Sequence, residues 1–167
     1  AEDAARLAGV CRYPPLGERS WGPWRANLTR TSGPGYRDRI NEEVFCLPMV
    51  ETALAITNIE EIVGTEGVDG VYVGPADLGL SYGLLPKLDR EEPEMLEVLE
   101  RIVAVCRKHG KLAGIHCGEP AYARRMLSAG FSLVSISTDT RLFADAVSAA
   151  FSASREGASG PAYAMPY

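Results

Sequence analysis

Two acidic residues stand where binding chemistry is easily built. Asp77 ends the run Gly67-Val68-Asp69-Gly70-Val71-Tyr72-Val73-Gly74-Pro75-Ala76-Asp77. Residues 71–73 are β-branched and aromatic, and read as a short buried strand. Gly74-Pro75 stops that strand, because proline has no N–H to give to a ladder. Asp77 is therefore expected just past a strand's C-terminal end, where α/β proteins gather ligand-binding groups. Glu51 holds the same relative place one strand earlier, closing residues 44–50. With one helical crossover between them, the two strands are expected to be parallel neighbours, about 4.8 Å apart. Two carboxylates so placed can share one hard cation, with oxygens at about 2.0–2.1 Å for magnesium. The divalent ion also removes their mutual repulsion. The alternative is that each carboxylate caps the helix that follows it.

The elements needed to hold these residues follow from periodicity and punctuation. Residues 1–11 are alanine-rich with early acids and predict a helix, ended by Tyr13-Pro14-Pro15. Residues 16–43 show no clear period, and predict a long functional or interface loop in which Arg19 and Arg25 face either an anion or solvent. A short helix is expected around residues 58–63, with Asn58 as its cap. Residues 79–92 read as a second long connection. Residues 93–109 form the clearest amphipathic helix, with Met95, Leu96, Leu99, Ile102, Val103 and Cys106 at helical spacing. Strands are expected at 112–116 and 131–137, separated by a helix over 120–129 that Gly130 stops. A last helix is predicted over about 140–151. A helix followed by four βα units predicts an α/β fold with a parallel sheet, either a small open sheet or half of an eight-stranded barrel.

Composition narrows the function. The chain has 167 residues, 46% of them hydrophobic, and a net charge of −5 with both signs interspersed. That suffices for one core. No basic block points to nucleic acid, and no apolar run approaches the ~20 residues of a membrane span. Cys11, Cys46, Cys106 and Cys117 form no C-x-x-C pair and predict reduced thiols in a cytoplasmic protein.

Taken together, Pro48-Met49-Val50-Glu51-Thr52 and residues 66–78 resemble the HpcH/HpaI aldolase family, metal-dependent aldolases that cleave 2-keto-3-deoxy acids. Arg12-Tyr13-Pro14-Pro15-Leu16-Gly17-Glu18-Arg19 also matches, as does the stretch from Gly110 through Ala129-Gly130-Phe131 to Thr138-Asp139. The resemblance covers nearly all of residues 1–153, taken as one partial barrel domain, and leaves 154–167 as a disordered tail. It implies a (β/α)8 TIM barrel, of which this chain looks like the second half. Strands five to eight would be residues 44–50, 71–73, 112–116 and 131–137. Roughly ninety residues for the first four strands are expected to lie outside this chain. With them would go the family's histidine base and its substrate-holding arginine.

The resemblance further implies that Glu51 and Asp77 hold a divalent cation, Mg2+ first, with Mn2+ or Co2+ as alternatives. A 2-keto acid such as pyruvate would chelate that cation, which acts as a Lewis acid toward the enolate. The N–H groups of Ala76 and Asp77 would bind the substrate carboxylate, and Gly74 and Pro75 would aim them. The implied activity is that of a lyase, a class II aldolase releasing pyruvate or a related 2-keto acid and an aldehyde. Lyase or synthase chemistry on citrate-like or CoA-thioester substrates is the alternative, as is a non-catalytic half barrel. Met49 stands where the family usually has a glutamine that helps to hold substrate. His116, at a strand end, either reaches the pocket mouth or is a partly buried histidine. Asp139 is expected to cap the final helix, which in the family commonly packs on a neighbouring subunit. A homo-oligomer, hexameric as a trimer of dimers, follows by resemblance.

Overall fold

The computed structural model describes residues 1–23 and 35–155. In chain order the elements are α1 (Glu2–Cys11), α2 (Tyr36–Glu43), β1 (Met49–Val50), α3 (Ala53–Thr57), α4 (Ile59–Gly64) and β2 (Gly70–Val73). Then come α5 (Pro75–Ser81), α6 (Pro93–Lys108), β3 (Leu112–Cys117), α7 (Pro120–Ala129), β4 (Leu133–Ile136) and α8 (Asp139–Arg155). The chain divides into two compact units, residues 1–136 and residues from Ser137 onward.

In the first unit the four strands pair in parallel and in sequence order, β1-β2-β3-β4. Parallel pairing requires a crossover between successive strands, and the helices supply it. Alternation along the strands divides the sheet into two faces. Val50, Val71, Val73, Ala113, Ile115 and Cys117 are buried with Ile59, Val63, Leu99, Ile102, Tyr122, Met126 and Phe131 in one core. Each fully buried Val, Ile or Leu side chain contributes about 1.5–3 kcal/mol. The other face carries Met49, Tyr72, Gly114, His116, Leu133 and Ser135, and Met49 and Leu133 on it are exposed.

The amphipathic reading of residues 93–109 matches α6, which starts on Pro93 and buries the expected residues apart from the half-buried Leu96. Two sequence expectations are corrected. The strand over 44–50 is reduced to Met49–Val50, because Pro48 has no N–H, although Cys46 and Pro48 still accept ladder-like bonds from Asp69 and Tyr72. Within the loop expected over 16–43, residues 36–43 are helical. Their sequence, Tyr-Arg-Asp-Arg-Ile-Asn-Glu-Glu, has no apolar stripe to announce α2. The short helix expected around 58–63 is α4, with Asn58 at its N-cap, and a further helix not expected from the sequence, α3, precedes it. Arg25 lies outside the described residues, as does most of the 154–167 tail.

The cysteines are free thiols, with Cys46, Cys106 and Cys117 buried. Burial pushes each of those three up to about 11. In the second unit α8 exposes Leu142, Phe143, Val147 and Phe151. Its cap is Thr138, whose Oγ1 accepts from the Arg141 N–H at 3.3 Å, so the expected cap Asp139 is instead the first helical residue. No helix among the described residues is long and apolar enough to cross a membrane.

Candidate active site at the ends of β1 and β2

Glu51 and the Gly74 turn meet because of register. Val50 pairs with Val73, so the next residues, Glu51 and Gly74, stand side by side at the strands' C-terminal ends. A Cβ built on Gly74 would lie 2.7 Å from Glu51 Oε2 and 3.1 Å from Met49 Cε. The glutamate carboxylate therefore leans over the turn, in space that only glycine leaves free. The Gly74 backbone is extended, at φ −97 and ψ 90, so the glycine is needed for this space and not for its torsions.

The turn feeds directly into α5. Pro75 is its first residue, where a missing N–H costs nothing. Gly74 is the N-cap and no side chain caps the helix. The N–H groups of Ala76 and Asp77 are thus among the first-turn donors that have no intrahelical acceptor. Asp77 lies in that same first turn and is exposed. At the other strand, Thr52 caps α3, its Oγ1 accepting from Ala55 N–H at 3.0 Å. Neither Glu51 nor Asp77 is therefore spent as a helix cap. The Ala53 N–H donates to Ser81 Oγ at 2.6 Å, which ties the end of β1 to the end of α5.

Beneath the turn lies a residue that sequence reasoning missed. Arg90 is the one buried charged residue among those described, at 2% exposure. Its Nε–H donates to the Pro75 carbonyl at 3.2 Å, Nη2 to the Leu85 carbonyl at 2.6 Å, and Nη1 to Glu92 at 3.1 Å. Gly79 makes the room, since a Cβ there would sit 1.7 Å from Arg90 Nη2. Tyr122, whose burial pushes it up to about 12, donates its hydroxyl to the Arg90 carbonyl at 2.7 Å. Asp89 accepts from the N–H groups of Gly118 and Glu119 at 2.7 and 3.0 Å. The segment read as a long connection is therefore a clamp that fixes α5 to the start of α7. In sequence, Asp89-Arg90 looks like any solvated charged pair; only the glycine inside α5 hints at a bulky neighbour.

The other candidates fall in different places. His116 Nδ1 is 2.6 Å from Ser135 Oγ, and Ser135 is also hydrogen-bonded to the Tyr72 hydroxyl. His109 pairs instead with Glu60 at 2.8 Å. Arg19 stacks its guanidinium over the Tyr13 ring, 4.8 Å from its centroid.

The donor set suits a hard cation. The Glu51 carboxylate lines the space over Gly74, and Asp77 carries a second carboxylate in the helix turn that follows. Among the described residues no three His, Cys, Asp or Glu side chains converge. A hard cation such as magnesium needs no such cluster, since it keeps several waters and takes one or two carboxylates.

A four-stranded parallel sheet with helical crossovers, and carboxylates at its strand ends, is the layout of an α/β fold of the barrel or open-sheet kind. The model of the HpcH/HpaI aldolase/citrate lyase family matches residues 1–146, and the chain belongs to that family. It is 38% identical over 144 residues to a hydroxypyruvate/pyruvate aldolase of Rhizorhabdus wittichii, covering 86% of this chain and 57% of that one. It is 34% identical over 162 residues to a 2-keto-3-deoxy-L-rhamnonate aldolase of Escherichia coli, covering 96% and 60%. Among solved structures, an HpcH/HpaI aldolase/citrate lyase family protein from Burkholderia cenocepacia superposes with a TM-score of 0.77 at 31% identity, covering 92% of this chain and 61% of that one. The chain thus spans about 60% of the length of the relatives it matches. The fold is the corresponding part of a TIM-barrel-like aldolase, as the resemblance implies and where the sequence pattern alone left an open sheet as the alternative.

Proposed function

We propose that this chain carries the cation- and carboxylate-binding half of a class II aldolase that cleaves a hydroxylated 2-keto acid to pyruvate, or a related 2-keto acid, and an aldehyde. The observation behind this reading is the Glu51 carboxylate leaning over Gly74, beside a helix start whose amides no side chain caps. Relatives named as aldolases for hydroxypyruvate/pyruvate and for 2-keto-3-deoxy-L-rhamnonate support it. Glu51 and Asp77 would hold the divalent cation, Mg2+ or in its place Mn2+ or Co2+. When bound, such a cation supplies Lewis-acid polarisation to the ketone and carboxylate oxygens of the acid.

The chain's own residues do the rest. The N–H groups of Ala76 and Asp77 bind the substrate carboxylate, as preorganised donors worth a few kcal/mol each toward developing charge. Pro75 and Gly74 fix their direction, and Arg90 holds the Pro75 carbonyl from below. The active protein is read as cytoplasmic and homo-oligomeric.

Met49 favours a second reading, in which the same site works on citrate-like or CoA-thioester substrates. Its methyl group reaches the space over Gly74, so an apolar group lines the pocket where a hydrogen-bonding one would grip a small hydroxy-keto acid. The test is Mn2+ binding and metal-dependent pyruvate binding by the chain and by Glu51→Gln and Asp77→Asn. Loss of Mn2+ binding in both variants, with unchanged melting, is expected. Native affinity for Mn2+ in both would refute the assignment. Binding of acetyl-CoA or citrate in preference to pyruvate would select the second reading.

A further inference from the structure

The register of the sheet aligns more than the two carboxylates. Extending the pairings Val50–Val73 and Val73–Ile115 by one residue puts Glu51, Gly74 and His116 in one row, and His116 pairs with Ser135. These four positions lie at one level on the face that turns away from the helices. Gly74 leaves the row open in its middle. Glu51 and His116 thus flank a gap of two strand spacings, roughly 10 Å.

His116 is held at one nitrogen only. Its Nδ1 is engaged by Ser135 Oγ at 2.6 Å, and Nε2 has no partner among the described residues. Ser135 is in turn hydrogen-bonded to the Tyr72 hydroxyl. Tyr72 lies two strands from Ser135, and its ring reaches across β3 because residue 114 is glycine. A Cβ on Gly114 would stand 2.8 Å from Tyr72 Cδ2. Three strands therefore contribute to one hydrogen-bonded chain, and glycines keep clear both its path and the gap in front of it.

We propose that His116, backed by Ser135 and Tyr72, carries a proton to and from the carbon next to the ketone of the bound 2-keto acid. The proposal rests on the 2-keto acid reading given above. With Nδ1–H donating to Ser135 and Ser135 donating to Tyr72, Nε2 presents a lone pair. It takes a proton from the methyl carbon; the C–H electron pair becomes the new carbon–carbon double bond, and the carbonyl pair moves onto the ketone oxygen. The imidazolium then returns a proton to the same carbon, and the ketone re-forms. When the two hydrogen bonds run the other way, from Tyr72 to Ser135 and from Ser135 to Nδ1, Nε2 carries the hydrogen and the ring is the donor. The chain thus lets one histidine stand ready in either role, without any other reactant.

The test is deuterium exchange into the pyruvate methyl group in D2O with Mg2+, read by proton NMR. It is paired with Mn2+ relaxation measurements of pyruvate binding and with 15N imidazole spectra. The chain has two histidines, so His109→Gln assigns the spectrum. His116→Gln is expected to lower exchange by about 10²-fold or more, with pyruvate binding kept. Ser135→Ala, Tyr72→Phe and Gly114→Ala are each expected to lower exchange about tenfold and to move the His116 nitrogen shifts, which a purely structural role would not do. Pyruvate binding with native exchange in His116→Gln, or with no exchange in the unaltered chain, overturns the proton-carrier role and leaves the binding site standing. Unmoved His116 shifts in Ser135→Ala and Tyr72→Phe overturn the relay. Absence of metal-dependent pyruvate binding overturns the substrate reading and this proposal with it.

Discussion

Replacing Gly74 with alanine separates the site from the fold. The new methyl group would stand 2.7 Å from Glu51 Oε2, where ordinary contact needs about 3.4 Å or more. The carboxylate oxygen must therefore retreat by about 0.7 Å. It is the free end of a flexible side chain, so the retreat is cheap for the fold, and alanine accepts the extended torsions at this position. Stability is expected to change by less than about 1 kcal/mol. For a cation the same shift is large, because ligand distances are held to within about 0.2 Å. A loss of about 10- to 100-fold in Mn2+ affinity follows, by comparison with mutations that misorient a ligand elsewhere. That range corresponds to about 1.4–2.7 kcal/mol. The assay is Mn2+ titration followed by electron paramagnetic resonance, with urea unfolding of the same samples as control. Native affinity in a variant of native stability would show that the Glu51 carboxylate over Gly74 is not a ligand.

Two further substitutions probe the fold. Gly79→Ala forces a methyl group to within 1.7 Å of the Arg90 guanidinium, whose hydrogen bonds to Pro75, Leu85 and Glu92 leave it nowhere to go. A loss of about 3 kcal/mol in urea unfolding is expected, the upper end for overpacking, and a loss below about 0.5 kcal/mol would contradict the clamp. Glu60 is held below the usual carboxylate range by its hydrogen bond to His109 and then by Lys108. Its folded value is lower than its unfolded one, so its contribution is present above the ordinary carboxylate value and is lost as pH falls through the lowered one. The melting temperatures of the native chain and Glu60→Gln should therefore differ at neutral pH and low salt, and converge in acid; a constant gap would contradict the pairing.

What sequence reveals here follows from how local each signal is. The strand ends that carry Glu51 and Asp77 are marked by proline and glycine within a few residues, and α6 by its own periodicity. Both are readable without partners. The parallel order followed from alternation of strand and helix signals. The α2 helix was hidden because nothing apolar marks a face, and β1 shrank because Pro48 interrupts a ladder that the apolar pattern alone suggested. Arg90 and the Tyr72–Ser135–His116 chain were illegible for a different reason. The first depends on a glycine eleven positions away, and the second on the mutual register of three strands, which no single segment encodes.

The N-terminal segment is fastened in a way that bears on how the molecule comes apart. Helix α1 buries only Ala4 and Ala8, in a small cluster with Cys46 and Val68 apart from the main core. Much of what holds it is directional. Arg12 donates to the Gly67 carbonyl at 2.6 Å, to Asp69 at 2.9 Å and to the Asn41 carbonyl at 3.3 Å, while the Asn41 side chain pairs with the backbone of Tyr13. With so little apolar surface buried under α1, this seam is expected to open below the energy of global unfolding. Residues 1–19 are thus expected to behave as a latch of their own, with amides that exchange ahead of those of α6 in a hydrogen-exchange measurement. The latch closes on Asp69, the residue immediately before β2, so each opening loosens the near end of the strand whose far end carries Gly74.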